Sequence, residues 1–180
     1  MPISTSLLLA APLFAQLATA PDCSALLQQH LKTDLELPWQ TFDQTEGQGF
    51  RVLAAAGCSR EAGDLLEAWL AARQREQRSV HWHLAQQRAE QDDRPAAIQA
   101  ARKALNTEET ADMPLRWNDY VLATIAFLER DRSAFDRHRA AVAAARERYA
   151  GNALNLKLLD RLGRHFELSY LGAQKAAPQP

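Results

Sequence analysis

The spacing of apolar residues constrains the fold more than any other feature of this sequence. From position 22 onward such residues recur every three or four positions, as in Leu27, Leu31 and Leu35, which is the period of one face of a helix. No segment shows a convincing alternation of apolar and polar residues, the pattern of a half-buried strand. Proline and glycine fall between the periodic segments rather than within them. The sequence therefore predicts an all-α protein.

The helices are predicted to pair. The segments "AEQDDRPAAIQAARKAL" and "AFLERDRSAFDRHRAAV" share the plan of helix, short polar turn and helix. Superposing them aligns Ala97 with Ala134, an offset of 37 residues, and the earlier Ala62 aligns with Ala97 at an offset of 35. A period of this length predicts stacked antiparallel helical hairpins. We expect about three pairs and a terminal capping helix in one domain over residues 21–172, followed by a disordered tail, 173–180.

Small residues in the second helix of each pair follow one pattern. A small residue is followed by an apolar or small one four positions later and by an alanine three after that. The two runs are Ala97, Ala101 and Ala104, and Ala134, His138 and Ala141. This pattern, with Leu84 and Ala85 on a first helix, resembles the tetratricopeptide-like superfamily, although Arg88 stands where that helix has an aromatic residue. Over residues 50–142 the resemblance implies a right-handed array of degenerate repeats whose first helices line a groove for a peptide or protein segment.

The first 20 residues, "MPISTSLLLAAPLFAQLATA", have the features of a secretory signal peptide. They contain no charged side chain, carry an apolar run over residues 7–17 and end in the small-x-small pattern "ATA" of a cleavage site. The apolar run is too short to span a bilayer. We expect residues 1–20 to be a signal peptide of bacterial type, cleaved before Pro21, and the mature protein to be periplasmic or secreted. An uncleaved anchor and a buried helix are the alternatives.

Two cysteines, Cys23 and Cys58, follow the predicted signal peptide. An exported chain meets an oxidising compartment, in which paired thiols form disulfides. We therefore expect one disulfide, which would join the first helix to the turn at "AAAGCSREA". Closing such a loop stabilises a fold by about 3–4 kcal/mol. Spacing alone does not show that two sulfur atoms meet, so two separate free thiols are the alternative.

The charges of the chain are nearly balanced, with 21 basic and 22 acidic residues and a net charge of −1. Nucleic-acid-binding proteins usually gather an excess of basic residues on one face. This composition gives no such excess. We expect no nucleic-acid partner, and no insertion into a membrane once the signal peptide is removed.

His81 and His83 are the first candidates for a metal site. Helical metal ligands are spaced three or four residues apart, so that both reach the same ion, whereas these two lie on different faces of a helix. Positions one turn after them hold alanine and glutamine. We predict that His81 points toward the hairpin interface and His83 toward solvent, and that His138 is a semi-buried packing residue. We expect no metal and no cofactor.

An acidic run on one predicted helix, Glu61, Asp64 and Glu67, is the only arrangement that suggests acid–base chemistry. Such chemistry needs two carboxylates in different environments. These residues instead alternate with the apolar Leu65 and Trp69, as a solvated helix face does. The sequence contains no nucleophile elbow, no paired-histidine zinc motif and no phosphate-binding loop. We therefore expect that the protein is not an enzyme.

A hairpin stack presents a groove lined by the first helix of each pair. The sequence register predicts that this groove is lined by Trp82, Gln86, Glu90, Arg116 and Asp119. Tryptophan and arginine contribute most to protein interfaces, which makes Trp82 and Arg116 the principal candidates. Alternatively, Trp82 packs inside its hairpin, as large aromatic residues often do.

The predicted function is that of an exported, non-catalytic protein–protein interaction module that binds a peptide or protein segment. Two other functional classes are alternatives. One is a helical protein that binds a small molecule or a metal, with His81, His83 or His138 as the ligands. The other is a hydrolase that uses Glu61 and Asp64.

Overall fold

The computed structural model describes residues 20–73 and 77–177. Within these ranges every regular element is helical and no strand is present, so the all-α prediction is confirmed. The elements are α1 Cys23–Thr33, a π-helical turn Gln40–Gln44, α2 Phe50–Ala55, α3 Ser59–Arg73, α4 Arg78–Glu90, α5 Arg94–Lys103, α6 Trp117–Glu129, α7 Arg132–Ala144, α8 Ala150–Arg164 and α9 Tyr170–Lys175. The predicted signal peptide lies outside the described residues except for Ala20.

Aspartates cap several of the helices. Asp22, Asp93 and Asp131 each accept a hydrogen bond from a backbone N–H three residues on, at the start of α1, α5 and α7. The cap of α7 is Asp131 and not Ser133, although serine is also a common capping residue. The carboxylate of Asp131 already satisfies the N–H of Ala134 at 2.9 Å, so the helix begins before the serine.

Consecutive helices pack as hairpins. The pairs α4–α5 and α6–α7 are each joined by a very short turn, and these two pairs make the most extensive contacts between elements. Asp92 and Arg130 lie in those turns with φ of 59° and 63°, the left-handed conformation that commonly ends a helix. Ala97 and Ala101 of α5 are fully buried, and their small side chains let α5 lie close to α4.

Helix α6 is the centre of the core. Nine of its 13 residues are buried, including Val121, Ala123 and Phe127. It contacts α5, α7 and α8. A helix that is apolar on nearly all sides must be covered on several sides, and this is the position expected for the segment "LRWNDYVLATIAFL".

The N-terminal region is fixed to the core by a disulfide. The sulfur atoms of Cys23 and Cys58 are 1.98 Å apart and the two Cα atoms 5.5 Å apart. The bond joins the first residue of α1 to the turn before α3, and Cys58 itself is buried. The predicted pairing is confirmed.

The segment between α1 and α2 is more ordered than its proline and glycine content suggests. Its sequence reads as a loop, yet it contains the π-helical turn, with Phe42 and Asp43 fully buried. The ring of Phe42 stacks on Trp69 of α3 at 4.8 Å. Gly49 has φ of 53°, and a Cβ there would lie 2.1 Å from the carbonyl oxygen of Phe42, so no larger residue fits.

The C-terminal helix α9 turns back onto the array. It packs against α8 and also against α4, and its Tyr170 and Ala173 are fully buried. Residues 173–175, assigned to a tail from the sequence, therefore belong to this helix, while residues 178–180 lie outside the described part. In the described ranges, no helix has both the length and the apolar character needed to cross a bilayer.

Candidate interaction surface

Trp82, the first candidate for a groove contact, lies inside the protein. It is 5% exposed, and its ring meets Trp117 at 5.6 Å and Tyr120 at 4.9 Å, both in edge-to-face geometry. These rings join α4 to α6, the first helices of consecutive hairpins. The geometry favours the alternative in which Trp82 is a packing residue.

Gln86 and Glu90, one and two turns further along α4, lie beside Tyr170 of α9. Burial raises the pKa of the Tyr170 hydroxyl far above its ordinary value; Gln86 opposes this change, and the negative charge of Glu90 adds to it. Glu90 also accepts a 2.6 Å hydrogen bond from the hydroxyl of Ser59. The predicted groove is therefore covered along this part of α4 by the protein's own C-terminal helix.

Arg116 and Asp119, the other two predicted groove residues, are bonded to each other. The Arg116 guanidinium donates from Nε and Nη2 to Asp119 Oδ2, at 2.9 and 2.6 Å. Nδ1 of His138, on α7, lies 2.9 Å from the other carboxylate oxygen. His138 is half-buried, as predicted, and its ring is held by this contact with Asp119 as well as by packing. This three-residue cluster connects the start of α6 to α7.

The start of α6 is also fixed to α8. Asn152, fully buried, accepts a hydrogen bond from the backbone N–H of Arg116 at 2.9 Å. Its amide donates to the carbonyl oxygens of Pro114 and Ala145, both at 2.8 Å. Both polar atoms of the buried Asn152 side chain are therefore hydrogen-bonded. These bonds hold α8, the segment before α6 and the end of α7 together. The backbone that carries Arg116 is therefore rigidly placed.

A shallow depression of about 290 Å³ opens beside Arg116. It is also lined by the small residues Ala141, Ala144 and Ala145 at the end of α7, and by Arg148. Arg148 donates to the carbonyl oxygen of Asp112 at 2.8 Å. Arg116 and Arg148 thus both line a depression that also has small apolar side chains in its lining, and their positive charge would attract a negatively charged side chain.

His83 is paired with a buried carboxylate that the sequence does not reveal. Its Nδ1 lies 2.6 Å from Oδ1 of Asp43, so the prediction that His83 faces solvent is wrong. Burial acts to raise the pKa of Asp43, but the hydrogen bond and positive charge of His83, with bonds from Ser79 and Gln44, outweigh it and hold that pKa below its usual value. His81 is 5% exposed, as expected of a side chain at the hairpin interface.

Arg88 of α4 pairs with Asp64 and Glu67, two of the three residues of the acidic run on α3. Its Nη2 lies 2.8 Å from Asp64 and 3.1 Å from Glu67. Burial acts to lower the pKa of Arg88, but these carboxylates outweigh it and raise that pKa. The guanidinium fits above Gly63, where a Cβ would be 3.0 Å from its atoms. Asp64 and Glu67 share this one cation, whereas Glu61, the other residue of the predicted hydrolase pair, lies beside the Cys23–Cys58 disulfide.

In the described residues, one group of potential metal ligands comes together, Cys23, Cys58 and Glu61. Both sulfur atoms belong to the disulfide, whereas a metal requires thiolates. His81, His83 and His138 do not join any such group in this part of the chain. The side chains brought together here are arranged for packing and ion pairing.

Comparison with known proteins gives no relative from which a role can be transferred. The chain matches no protein-family model, no curated protein and no solved structure. Its function must be inferred from the contacts of the chain itself.

Proposed function

We propose that the protein is an exported, non-catalytic interaction module, built as a stack of tetratricopeptide-like hairpins, that binds a segment of another protein. Two observations support this. Consecutive hairpins place α4 and α6 side by side, with alanines where helices approach closely, and a disulfide fixes the N-terminal helix, as is common in proteins of oxidising compartments.

The depression between Arg116 and Arg148 is the contact surface that we assign to the partner. The observation that carries this assignment is that Arg116 is held in place by Asp119 and by Asn152 while its side chain remains about a quarter exposed, at 23%. An arginine that is already ordered loses little entropy on binding, and arginine is a frequent hot-spot residue. Trp82, buried by its neighbours, has no direct role in this proposal.

The partner segment is proposed to carry an acidic side chain beside a small apolar one. The two guanidinium groups attract the acidic group, and the lining residues Ala141, Ala144 and Ala145 accept apolar carbon. A depression of about 290 Å³ accommodates one or two side chains of a longer segment. Further contacts would come from the exposed parts of the neighbouring helices.

A photo-cross-linking amino acid placed at Ala141 tests this function in cells that export the protein. We expect one covalent adduct with a distinct envelope or secreted protein. The same amino acid at Ala25, an exposed alanine of α1, is the matched control and should not give that adduct.

The double variant Arg116→Ala with Arg148→Ala should abolish the adduct at Ala141. If Ala141 and Ala25 give the same adducts, or if the double variant leaves the adduct unchanged, the assignment is wrong. Circular dichroism of the double variant checks that loss of the adduct does not follow from unfolding.

The hydrolase alternative receives no support from the arrangement of the acidic run. Glu61→Gln combined with Asp64→Asn would inactivate such an enzyme. Because Asp64 is paired with Arg88, the same double substitution should instead change only stability. A cavity near the C-terminal end of α3 favours the other alternative, a protein that binds a small molecule.

A further inference from the structure

A cavity of about 510 Å³ lies between the segment that follows α1 and the C-terminal end of α3. Its volume falls in the range of about 300–1,000 Å³ that is typical of small-molecule sites. The residues that line it include Trp39, Trp69, Arg73, Gln40 and Gln77. Aromatic walls with a few polar groups are the usual composition of a ligand pocket.

Both indoles are fixed by hydrogen bonds to the protein itself. Trp39 Nε1 donates to the hydroxyl of Ser79 at 2.9 Å and lies 3.2 Å from a carboxylate oxygen of Asp43. Trp69 Nε1 donates to the carbonyl oxygen of Leu37 at 3.2 Å. With their N–H groups so engaged, the rings offer carbon surface to the cavity. The half-buried Trp39 offers more of it than Trp69, which is almost fully buried.

Among the described residues, the guanidinium of Arg73 is held in place mainly by uncharged groups. Nη2 donates to the backbone carbonyl oxygens of Glu36 and Leu37, which carry no net charge. In the described part of the chain, the carboxylate paired with it is that of Glu36. A carboxylate oxygen of Glu36 lies 3.9 Å from Nη1, and the Glu36 side chain is 93% exposed. Such a pair contributes little. Nε is buried and has no hydrogen-bond partner among residues 20–73 and 77–177, and Nη1 is the nitrogen that faces the distant carboxylate.

Two other partly buried arginines, Arg88 and Arg116, are paired more closely. Arg88 has carboxylates at 2.8 and 3.1 Å, and Arg116 has one at 2.6 Å that accepts two hydrogen bonds. Arg73 instead has donors anchored on carbonyl oxygens and, among the described residues, a distant, solvated carboxylate, and Arg51 shares this arrangement through Asp43 and Glu46. A carboxylate supplied by a ligand would form the charge-assisted hydrogen bonds that the protein does not itself provide.

We propose that this cavity binds a small organic acid, with its carboxylate on Nη1 of Arg73 and an aromatic or aliphatic body against Trp39. The amides of Gln40 and Gln77 provide hydrogen bonds at the sides. The site shares no residue with the depression beside Arg116, so the two proposals can fail independently.

Calorimetric titration of the mature, disulfide-bonded protein with phenylacetate tests the proposal. Acetate supplies the charge without the ring, and phenylethylamine supplies the ring with the opposite charge. We expect phenylacetate to bind at least about tenfold more tightly than either, because each lacks one of the two recognition elements. Saturation transfer from protein to the phenyl protons should report contact of the ring with the cavity wall. Equal binding of phenylacetate and phenylethylamine, or no binding of phenylacetate at millimolar concentration, overturns the proposal.

Two pairs of variants locate the site. Arg73→Gln should weaken phenylacetate binding about tenfold or more, while Arg137→Gln, an exposed arginine of α7, should not change it. Gln40→Glu places a negative charge at the exposed edge of the cavity and should also weaken binding, whereas Gln28→Glu on α1 is its matched control. If Arg73→Gln does not fold, the comparison of Gln40→Glu with Gln28→Glu tests the proposal. Indistinguishable affinities within that pair overturn the proposal.

Discussion

Nδ1 of His83, on α4, lies 2.6 Å from a carboxylate oxygen of Asp43, a fully buried residue 40 positions earlier in the chain. The other oxygen of the same carboxylate is close to the indole N–H of Trp39 and the amide of Gln44. One buried acid therefore connects the π-helical turn to the first helix of a central hairpin. A buried charge is tolerated only when it is paired and hydrogen-bonded in this way.

Asp43→Asn should destabilise the fold by about 3 kcal/mol, because it removes the charge beside His83 and replaces one acceptor oxygen of a buried carboxylate by an NH2 group. The pKa of Asp43 is lower in the folded state than its ordinary value of 3.8. Its contribution is thus complete above pH 3.8 and is lost as the pH falls through the folded-state pKa. Urea unfolding measured at about six pH values between 2.5 and 7 should show that the variant loses less stability at low pH than the wild type does. An equal loss of stability at low pH in both proteins would contradict this role.

Removing the disulfide by Cys23→Ser with Cys58→Ser should cost about 4 kcal/mol, the loop-closure entropy of the 35-residue separation. Urea midpoints with and without reductant provide the measurement. The wild-type midpoint should fall in reductant to near that of the double variant, and the double variant itself should not respond. A wild-type midpoint that is insensitive to complete reduction would show that the bond adds nothing to stability.

Comparing the stability of Gly49→Ala with that of Gly47→Ala distinguishes the cost of a steric clash from the cost of backbone strain. Both glycines have positive φ, but an alanine Cβ at position 49 would lie 2.1 Å from a carbonyl oxygen of Phe42, whereas position 47 has no atom within 4 Å. We expect Gly47→Ala to cost about 1 kcal/mol and Gly49→Ala clearly more, about 3 kcal/mol or above. Thermal unfolding of the two variants gives the comparison. Equal losses would mean that the turn around Phe42 adjusts freely.

Tyr170→Phe should leave stability nearly unchanged or raise it slightly, because the buried hydroxyl has no hydrogen bond of normal geometry to any part of the chain that the structure describes. Tyr170→Ala should cost about 3–5 kcal/mol, since the ring fills space against Phe127. Chemical unfolding followed by near-ultraviolet circular dichroism distinguishes the two. A loss above about 1 kcal/mol for Tyr170→Phe would instead indicate a hydrogen bond to Gln86.

The parts of the fold that depend on short-range patterns could be predicted from the sequence. Apolar period and capping aspartates such as Asp22 and Asp93 depend on residues within one or two turns, so the helices and their starts follow from local chemistry. The pairing of Cys23 with Cys58 was accessible because no other cysteine competes. The hairpin turns follow from polar residues between periodic segments.

The contacts that define the candidate sites are long-range, and no local pattern specifies them. Nothing near His83 points to Asp43, and nothing near Gln86 points to Tyr170, because each pair is set by how helices are arranged in space. Trp82 illustrates the same limit. A helical stripe shows that one face is apolar, but whether that face meets a partner or the protein's own α6 depends on tertiary packing.

The return of α9 to α4 changes how this array can unfold. In open helical arrays each hairpin touches only its neighbours, so an end can unravel while the rest stays folded. Here the last helix packs against a helix near the middle, with the ring of Tyr170 buried within the contact. Detaching the C-terminus therefore exposes the interior of the central hairpins. Local fraying at this end is coupled to loss of the whole domain, and the protein should unfold in a single cooperative step rather than hairpin by hairpin.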